Sequence, residues 1–339
     1  MLARLLSCAG LLLCAAAPSG AAQSYHVAHT FTLGGDGGWD YLALDTVGHR
    51  LFVARQNRIM VVDPETGKLL AEIPGLERAH GVALAYDVGR GFATSGADSQ
   101  VTIFDLKTLQ VVGHVGVAPD DDAVLYDAGT RRVFTFNGDA RSSTVIDAAS
   151  GQKVGVVGLG GAPEFAVSAG DGKLYVNLED QSTVAEIDAA AMRVTRQWPL
   201  APCESPSGLA IDPAHHRLFS GCRNKVMAIS DAGTGKLITT VPIGAGVDAC
   251  RFDPGTGLVF SSNGDGTLTV VRADTPDRYT VLTNVATKRG ARTMEIDLKT
   301  HRLFTVTADF GPTPPATPEH PRPRPTIVPG TFTLLVLDP

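Results

Sequence analysis

The sequence is poor in aromatic residues and in grouped basic residues. Its 339 residues include only 2 Trp, 6 Tyr and 13 Phe, and its 29 Lys and Arg are outnumbered by 35 Asp and Glu, which gives a formal net charge of −6. A nucleic-acid surface needs clustered Lys and Arg to displace counterions, and single strands also need aromatic platforms. These scarcities argue against a general nucleic-acid surface, and we expect no nucleic-acid partner.

Long apolar runs are also lacking after residue 22. The first 22 residues combine Arg4, an apolar stretch and small residues before Gln23, which is typical of a secretory signal peptide cleaved after Ala22. The stretch is too short and too rich in alanine for a membrane span, and no basic amphipathic helix is indicated. We therefore expect a protein that is periplasmic or secreted after loss of residues 1–22, without membrane insertion.

Short apolar runs of strand length are abundant instead, and the segment from Tyr41 to Asp63 shows their arrangement. It contains the runs YLAL, LFVA and IMVV, with turn residues at positions 47–49 and 56–58. Three such runs joined by tight turns predict an antiparallel meander. A meander of this size cannot enclose a core alone, so the unit should recur.

The unit does recur, with a period of 40 to 44 residues. The aromatic residue of its second strand returns at Phe52, Phe92, Phe134, Tyr175, Phe219, Phe260 and Phe304. An apolar residue near the end of its third strand returns in phase, at Val62, Phe104, Ile146, Ile187, Ile229, Val271 and Leu337. Two such anchors in step are typical of a β-propeller. The sequence predicts an all-β, seven-bladed β-propeller that occupies residues 23–339 as a single domain.

Both ends of the repeat are incomplete, and the two gaps match. A strand-length run from Tyr25 to Leu33 precedes the first blade, whereas the seventh blade stops after its third strand. We expect the N-terminal strand to complete the last blade and close the ring, which removes two open sheet edges. The last blade also carries a Pro-rich insertion, residues 309–330, expected to form an extended arm because proline cannot donate to a ladder. As a lid or docking strap, its contacts would be Arg322 and Arg324.

Cysteine is scarce, and two of the five cysteines lie in the predicted signal peptide. Cys203 precedes the inner strand of the fifth blade and Cys222 ends its second strand, and these two places open on the same face of a propeller. A Cys203–Cys222 disulfide closing a loop of about 20 residues would contribute roughly 3 kcal/mol. Cys250 is expected to be a small buried residue. Three free thiols are the alternative.

One position at the start of every blade collects polar side chains. It lies twelve residues before each anchor aromatic and is occupied by Asp40, His80, Asp122, Pro163, Ser207, Asp248 and Arg292. In a propeller these blade-start positions meet around the mouth of the central channel, on what we call the top face. Together with the neighbouring Trp39, Asp121 and Glu164, they form the predicted site in a polar funnel.

Three hypotheses compete for this funnel. Asp40, His80 and Asp122 have suitable side chains for a divalent cation, but no compact motif supports a metal site. His80 with Glu164 or Asp122 could form an acid–base pair in a hydrolase or lyase, although no nucleophile motif accompanies them. A binding funnel is favoured, in which Trp39 supplies an apolar contact and the charged groups orient a small polar ligand or a protein partner.

The repeats LFVARQNRIMVVDPETGKLLAEI and LYVNLEDQSTVAEIDAAAMRV resemble those of the YVTN-repeat, YncE-like family of exported seven-bladed propellers. The resemblance covers essentially the whole mature chain and depends on the period and on the "VxVxD…TG" turn. It implies the fold and export, but it supplies no catalytic residues and no cofactor. We therefore expect a monomeric binding or scaffold protein rather than an enzyme. A purely structural envelope role is a further alternative.

Overall fold

The structure, a computed structural model, describes residues 24–317 and 323–339. Within these residues the chain forms seven four-stranded antiparallel sheets, each the size of one predicted repeat. The prediction of an all-β, seven-bladed β-propeller is confirmed. The predicted signal peptide, residues 1–22, lies outside the described residues.

The first strand, β1 (His26–Thr32), precedes three blades that run from an inner to an outer strand. Blade 1 contains β2 (Leu42–Asp45), β3 (Arg50–Arg55), β4 (Arg58–Val62) and β5 (Leu69–Pro74). Blade 2 contains β6 (Ala79–Ala85), β7 (Arg90–Ser95), β8 (Gln100–Asp105) and β9 (Val111–Gly116). Blade 3 contains β10 (Asp121–Asp127), β11 (Arg132–Asn137), β12 (Ser142–Asp147) and β13 (Lys153–Gly158).

The remaining blades follow the same order. Blade 4 contains β14 (Pro163–Ser168), β15 (Lys173–Leu178), β16 (Thr183–Asp188) and β17 (Arg193–Pro199). Blade 5 contains β18 (Pro206–Asp212), β19 (Arg217–Cys222), β20 (Val226–Asp231) and β21 (Leu237–Pro242). Blade 6 contains β22 (Val247–Asp253), β23 (Leu258–Asn263), β24 (Thr267–Thr275) and β25 (Arg278–Ala286). Blade 7 contains β26 (Met294–Asp297), β27 (Arg302–Thr307) and β28 (Thr333–Asp338), and single 3₁₀ turns occur at Tyr86–Val88 and Glu179–Gln181.

The outer strand of blade 7 is β1. It pairs antiparallel with β28, from His26 opposite Asp338 to Thr32 opposite Thr333. Just before β1, the hydroxyl of Tyr25 donates to the carbonyl of His301 at 2.8 Å. The two ends of the described chain therefore share one sheet, which joins the first and last parts of the ring.

The anchor aromatics lie in the core between neighbouring blades, and all seven are at most 3% exposed. They stand on the second strand of each blade, where almost every residue is buried, as in β3 and β11. The outer strands instead alternate in exposure, as in β17. A strand covered on both faces favours apolar residues around its centre, which is why the second strands gave the clearest repeat signal.

One cross-strand pair in the core of blade 2 combines a residue without a side chain and a large aromatic residue. Gly91 of β7 lies opposite Phe104 of β8, whereas blade 1 pairs Leu51 with Val62 at the same place. A Cβ atom added at Gly91 would lie 2.0 Å from the Phe104 ring. Glycine is therefore required at position 91, because the Phe104 ring occupies the space that a side chain would need.

We expect Gly91→Ala to lower the free energy of unfolding by about 1–3 kcal/mol, because the new methyl group overpacks the core. Chemical denaturation measures the loss. The control combines Gly91→Val with Phe104→Ile, which copies the Val133–Ile146 pair of blade 3 and should recover much of the stability. Equal stability of Gly91→Ala and the wild type would show that the Phe104 ring has room to move.

Cys203 and Cys222 form the predicted disulfide, with a Cα–Cα distance of 5.6 Å. It connects the segment before β18 to the end of β19 on the top face. Cys250 is a buried free thiol, also as predicted. Among the described residues, no helix has the length and apolar character needed to cross a membrane.

The Pro-rich insertion separates β27 from β28, and its two ends pair with each other. Phe310 and Ile327 form an isolated antiparallel bridge. The N–H of Gly311 donates to the carbonyl of Thr326 at 2.8 Å, and the N–H of Val328 donates to that of Asp309 at 2.9 Å. The base of the arm is therefore a short ladder, which the proline content did not predict because the N–H donors belong to residues other than proline. Arg322, one of the two predicted contacts, lies outside the described residues.

Candidate functional site

The blade-start residues lie at the top ends of the inner strands, where β-bulges redirect the chain. In blades 2 to 6 the register with the second strand shifts within the first few residues of the inner strand. In blade 2 the shift falls between Ala79 and Val82 and so includes His80. A bulge bends a strand and changes the direction of a side chain, which lets these residues converge at the channel mouth.

His80 connects three neighbouring blades through its imidazole. Its Nδ1 atom lies 2.6 Å from Oδ2 of Asp40 in blade 1 and 3.1 Å from Oδ1 of Asp122 in blade 3. His80 is only 8% exposed, so both contacts are shielded from water. One imidazole nitrogen thus faces two carboxylates.

These two carboxylates keep His80 positively charged. Burial by itself would lower the pKa of His80, but hydrogen bonds to Asp122 and Asp40 and their negative charges outweigh it and raise the pKa to about 10. Burial raises the pKa of Asp40 to about 6, and the hydrogen bond from His80 opposes this rise. At neutral pH the group is therefore an imidazolium held between two acidic side chains.

The same three residues are a possible metal-ligand set. Ligand atoms of Asp40, His80 and Asp122 all lie within 4.8 Å of one another, and carboxylate and imidazole suit divalent cations. A metal ion would have to displace the proton on Nδ1, which the raised pKa of His80 opposes. The imidazolium therefore already supplies a positive charge at this position.

Arg292 continues the network on the other side of the mouth. Its Nε atom lies 3.3 Å from Oδ2 of Asp248, and one terminal nitrogen lies 4.0 Å from Oδ1 of Asp40. The hydroxyl of Ser207 donates to Oδ1 of Asp248 at 3.1 Å. Asp248 is the main reason that the pKa of Arg292 is raised. Six of the predicted residues thus form one chain of contacts from Asp122 round to Ser207.

Glu164 forms a separate acidic pair with Glu179. Burial, followed by a hydrogen bond with Glu179, raises the pKa of Glu164 far above its usual range. Arg223 lies 2.9 Å from Glu179 and 3.8 Å from Glu164. Because Glu164 is held protonated at neutral pH, its single O–H is the donor in the hydrogen bond with Glu179.

Tyr41 lies among the carboxylates. Burial and then the charges of Asp248, Asp122, Glu164 and Asp40 raise the pKa of its hydroxyl well above the usual value. Its ring packs edge-on against Phe165, with 5.0 Å between ring centres. Tyr41 and Phe165 also line the central cavity below, of about 610 Å³ and bordered mainly by apolar inner-strand residues. They therefore mark the floor of the funnel.

The funnel has two halves of opposite charge. The acidic half is a recess of about 310 Å³ whose titratable lining residues are Asp120, Asp122, Asp139, Arg141, Glu164, Glu179 and Asp180. The other half, which we call the basic cleft, has a volume of about 750 Å³ and lies against the base of the Pro-rich arm. Its charged and aromatic lining residues are Trp39, Arg223, Asp248, Asp265, Arg289, Arg292, Phe310 and Arg324.

Like Glu164, two further predicted residues lie apart from the contact network. Trp39 belongs to the wall of the basic cleft, where its ring is 6.0 Å from Phe310 and 5.4 Å from Phe332. Asp121 is fully buried, and its Oδ2 atom accepts the N–H of Ser95 at 3.0 Å. Burial raises the pKa of Asp121 to about 7. Asp121 is therefore placed to support the loop after β7 rather than to line either half of the funnel.

Sequence reasoning missed several funnel residues, including Tyr41, Glu179, Arg223 and Phe310. Glu179 and Arg223 share a second repeat position, four residues after the anchor aromatic. That position holds Gly or Ala in four blades and Gln56 in one. Charged side chains at a position that holds Gly or Ala in most blades could have indicated a functional role from the sequence alone. Tyr41 and Phe310 carried no such signal, because their neighbours come from other blades.

Comparison with known proteins identifies the fold but no family. No protein-family model and no curated protein matches this chain. Similar solved structures include the mitotic checkpoint complex (13% identity, TM-score 0.75, 99% of both chains) and RRP9 WD40 repeats (14%, 0.74, 93% of this chain and 99% of that one). A third is U3-55K (13%, 0.73, 92% and 99%). The chain is thus a seven-bladed β-propeller with WD40-like structural neighbours.

Proposed function

We propose that this chain is an exported binding protein of the YVTN-repeat, YncE-like type, with a ligand site in the funnel of its top face. Export is supported by the signal-like residues 1–22 and by the disulfide, because disulfides persist mainly in oxidising compartments. The repeat resemblance supports the family. The β-propeller itself is a binding or scaffold fold, as in its WD40 neighbours.

The convergence of the blade-start residues carries the proposal. Side chains from blades 1, 2, 3, 5, 6 and 7 form one connected set of contacts around the channel mouth. These residues lie about 40 to 250 positions apart in the chain, and several are buried charges, which are costly unless they are paired. Burying these charged side chains together costs free energy, and they lie beside open recesses. This combination is typical of a binding site.

A hydrolase or lyase built on His80 has weaker support. A general base must be unprotonated near neutral pH, whereas the two carboxylates raise the pKa of His80 to about 10. Its Nε2 atom is buried and makes no hydrogen bond within the described residues. Glu164 would be available only as a proton donor. The charged set is therefore better suited to orienting a ligand than to taking a proton from one.

A protein partner remains the second candidate. One structural neighbour is known from the mitotic checkpoint complex, which illustrates a propeller of this kind within an assembly. The top face here offers charged recesses of 310 and 750 Å³, and recesses of that size accept a small molecule or a short peptide segment. Because of the size and charge of these recesses, small polar ligands are the first class to test.

The test is a thermal-shift screen against divalent metals, sugars, lactones, quinones and polyamines, repeated on Asp122→Asn. A ligand bound at a hundredfold excess over its Kd stabilises the protein by about 2.7 kcal/mol. We expect a ligand that stabilises the wild type and stabilises the variant less. The control is Asp188→Asn on the bottom face, where Asp188 accepts the N–H groups of Ala190 and Ala191, a role that asparagine retains.

Three outcomes decide the proposal. A shift that is reduced in Asp122→Asn and kept in Asp188→Asn supports a site in the funnel. An equal shift in all three proteins and in Arg292→Gln, which changes the basic cleft, would place the ligand outside both halves of the funnel and would contradict the proposal. No shift with any compound would exclude these ligand classes and favour the protein partner.

A further inference from the structure

The basic cleft holds more positive charge than its own acidic groups can balance. Among its lining residues, Arg223 pairs with Glu179 and Arg292 pairs with Asp248. Within the described residues, Arg289 and Arg324 have no carboxylate at ion-pair distance. The remaining lining acid, Asp265, accepts the N–H groups of the loops around it instead.

Arg289 is held in place by an aromatic contact. Its guanidinium carbon lies 5.5 Å from the centre of the Phe310 ring, a favourable cation–π distance. A guanidinium positioned by an aromatic ring keeps its N–H donors available for another group. Phe310 in turn lies near Trp39, so one wall of the cleft combines two aromatic rings with an unpaired positive charge.

A buried arginine adds to this excess from behind the same wall. Arg55 is 0% exposed, and its guanidinium carbon lies 3.6 Å from the centre of the Phe332 ring. The other neighbour of that ring is Trp39. The Nε and Nη1 atoms of Arg55 make no hydrogen bonds within the described residues. Burial, followed by the charge of Arg58, lowers the pKa of Arg55 to about 10, so it stays charged at neutral pH.

We propose that the basic cleft binds a small organic anion, with its carboxylate or phosphate against Arg289 and Arg324 and its apolar body against Trp39 and Phe310. Planar guanidinium groups match both kinds of acidic group. A volume of about 750 Å³ accommodates a molecule of one or two rings. This inference rests on the proposed function and specifies the ligand class of the funnel.

The adjoining acidic half excludes a long polyanion. A nucleic-acid strand that left the basic cleft across the funnel would meet Asp120, Asp122, Asp139 and Asp180. Like charges in a low-dielectric recess repel strongly. The charge pattern therefore selects an anion short enough to stay within the basic cleft.

Trp39 provides a direct readout. The chain has two tryptophans, and Trp198→Phe leaves Trp39 as the one tryptophan. Phenyl phosphate and benzoate are titrated at constant ionic strength, with benzylamine as a cation of the same shape. We expect a saturable change in Trp39 emission with at least one anion and none with benzylamine. Calorimetry on the wild-type protein should give the same Kd and guards against damage by the Trp198 change.

Arginine variants test the assignment of the acidic group. Arg289→Gln and Arg324→Gln should each weaken anion binding by about tenfold, because each removes one charge-assisted hydrogen bond. The control is Arg193→Gln, an exposed arginine on β17 in blade 4, and it should leave the Kd unchanged. Equal weakening by all three changes would indicate a general charge effect and would overturn the site.

The remaining outcomes are equally decisive. Benzylamine binding as tightly as the anions would overturn the proposal, as would inorganic phosphate binding as tightly as phenyl phosphate. No saturable response to either anion, by fluorescence or by calorimetry, would also overturn it. These failures would leave the proposed function intact if a metal or polyamine stabilised the wild type in the thermal-shift screen and lost this effect in Asp122→Asn. In that case only the anion inference would fail.

Discussion

Replacing His80 by glutamine should lower the free energy of unfolding by about 3–5 kcal/mol near pH 7, the usual cost of removing one partner from a buried ion pair. His80 is 8% exposed and lies between Asp40 and Asp122. Glutamine keeps a hydrogen-bond donor but supplies no positive charge. The variant therefore leaves a crowded set of carboxylates uncompensated, and Arg292 alone cannot neutralise them.

The loss should depend on pH in a defined direction. The pKa of His80 is raised from 6.5 to about 10 in the folded protein, so its contribution is fully present below about pH 6.5 and is lost as the pH rises through about 10. The wild type should lose more stability than the variant between these values. The pKa of Asp40 is also raised, to about 6, so protonation below that pH removes part of the repulsion in the variant. The His80→Gln variant should therefore regain some stability at acidic pH.

Denaturant midpoints measured from pH 5 to pH 10 would check both effects. The matched control is His215→Gln on the bottom face, because Nδ1 of His215 also lies close to a carboxylate, 2.7 Å from Oδ2 of Asp212. The His215 side chain is 55% exposed, so its loss should cost about 1 kcal/mol or less. Equal losses in the two variants, or a pH-independent loss at His80, would contradict the buried imidazolium.

Removing the disulfide with Cys203→Ala and Cys222→Ala should lower the free energy of unfolding by about 3 kcal/mol or somewhat more. The chain-entropy account gives about 3 kcal/mol for a loop of this length, and the bridged residues are 19 positions apart. Both cysteines are also buried, at 2% and 0% exposure. The change thus removes core sulfur atoms as well as the cross-link.

The disulfide also supports the funnel. Arg223 follows Cys222 directly, and its N–H donates to the carbonyls of Glu204 and Ser205 at 3.0 and 3.2 Å. Loss of the bridge should therefore loosen the loop that holds Arg223 beside Glu179. Anion binding in the basic cleft should weaken along with stability, although the bridge contacts no ligand.

Denaturation with and without a reductant measures this effect. In reductant the wild type should lose the contribution of the cross-link and should stay somewhat more stable than the double variant, because it keeps both sulfur atoms. The variant itself should not respond to reductant. Cys250→Ala is the control: this buried free thiol should cost less when truncated and should keep the response to reductant. A wild type that ignores reductant even when unfolded would show that the bridge does not form in solution.

The sequence alone determined the repeat and the number of blades, and it favoured the Cys203–Cys222 disulfide that the structure contains. Strands covered on both faces favour apolar residues at their centre, and the second strand of every blade carried a short apolar run that includes its anchor aromatic. The period then gave the positions of Asp40, His80 and Asp122 at the starts of three neighbouring blades. Residues at equivalent repeat positions are related by the ring, so their common face was predictable without coordinates.

Only the tertiary structure decided how those residues interact. The negative charges of blades 3, 4 and 6 that raise the pKa of Tyr41 belong to residues far from it in sequence, and no local pattern encodes such interactions. The need for glycine at position 91 follows from the Phe104 ring on the neighbouring strand, which fills the space that a side chain would occupy. The protonation of His80 and Glu164 depends on burial and on neighbouring charges from other blades. The division of the funnel into acidic and basic halves exists for the same reason: ring closure sets the distances between charges, and these distances determine which charges are paired.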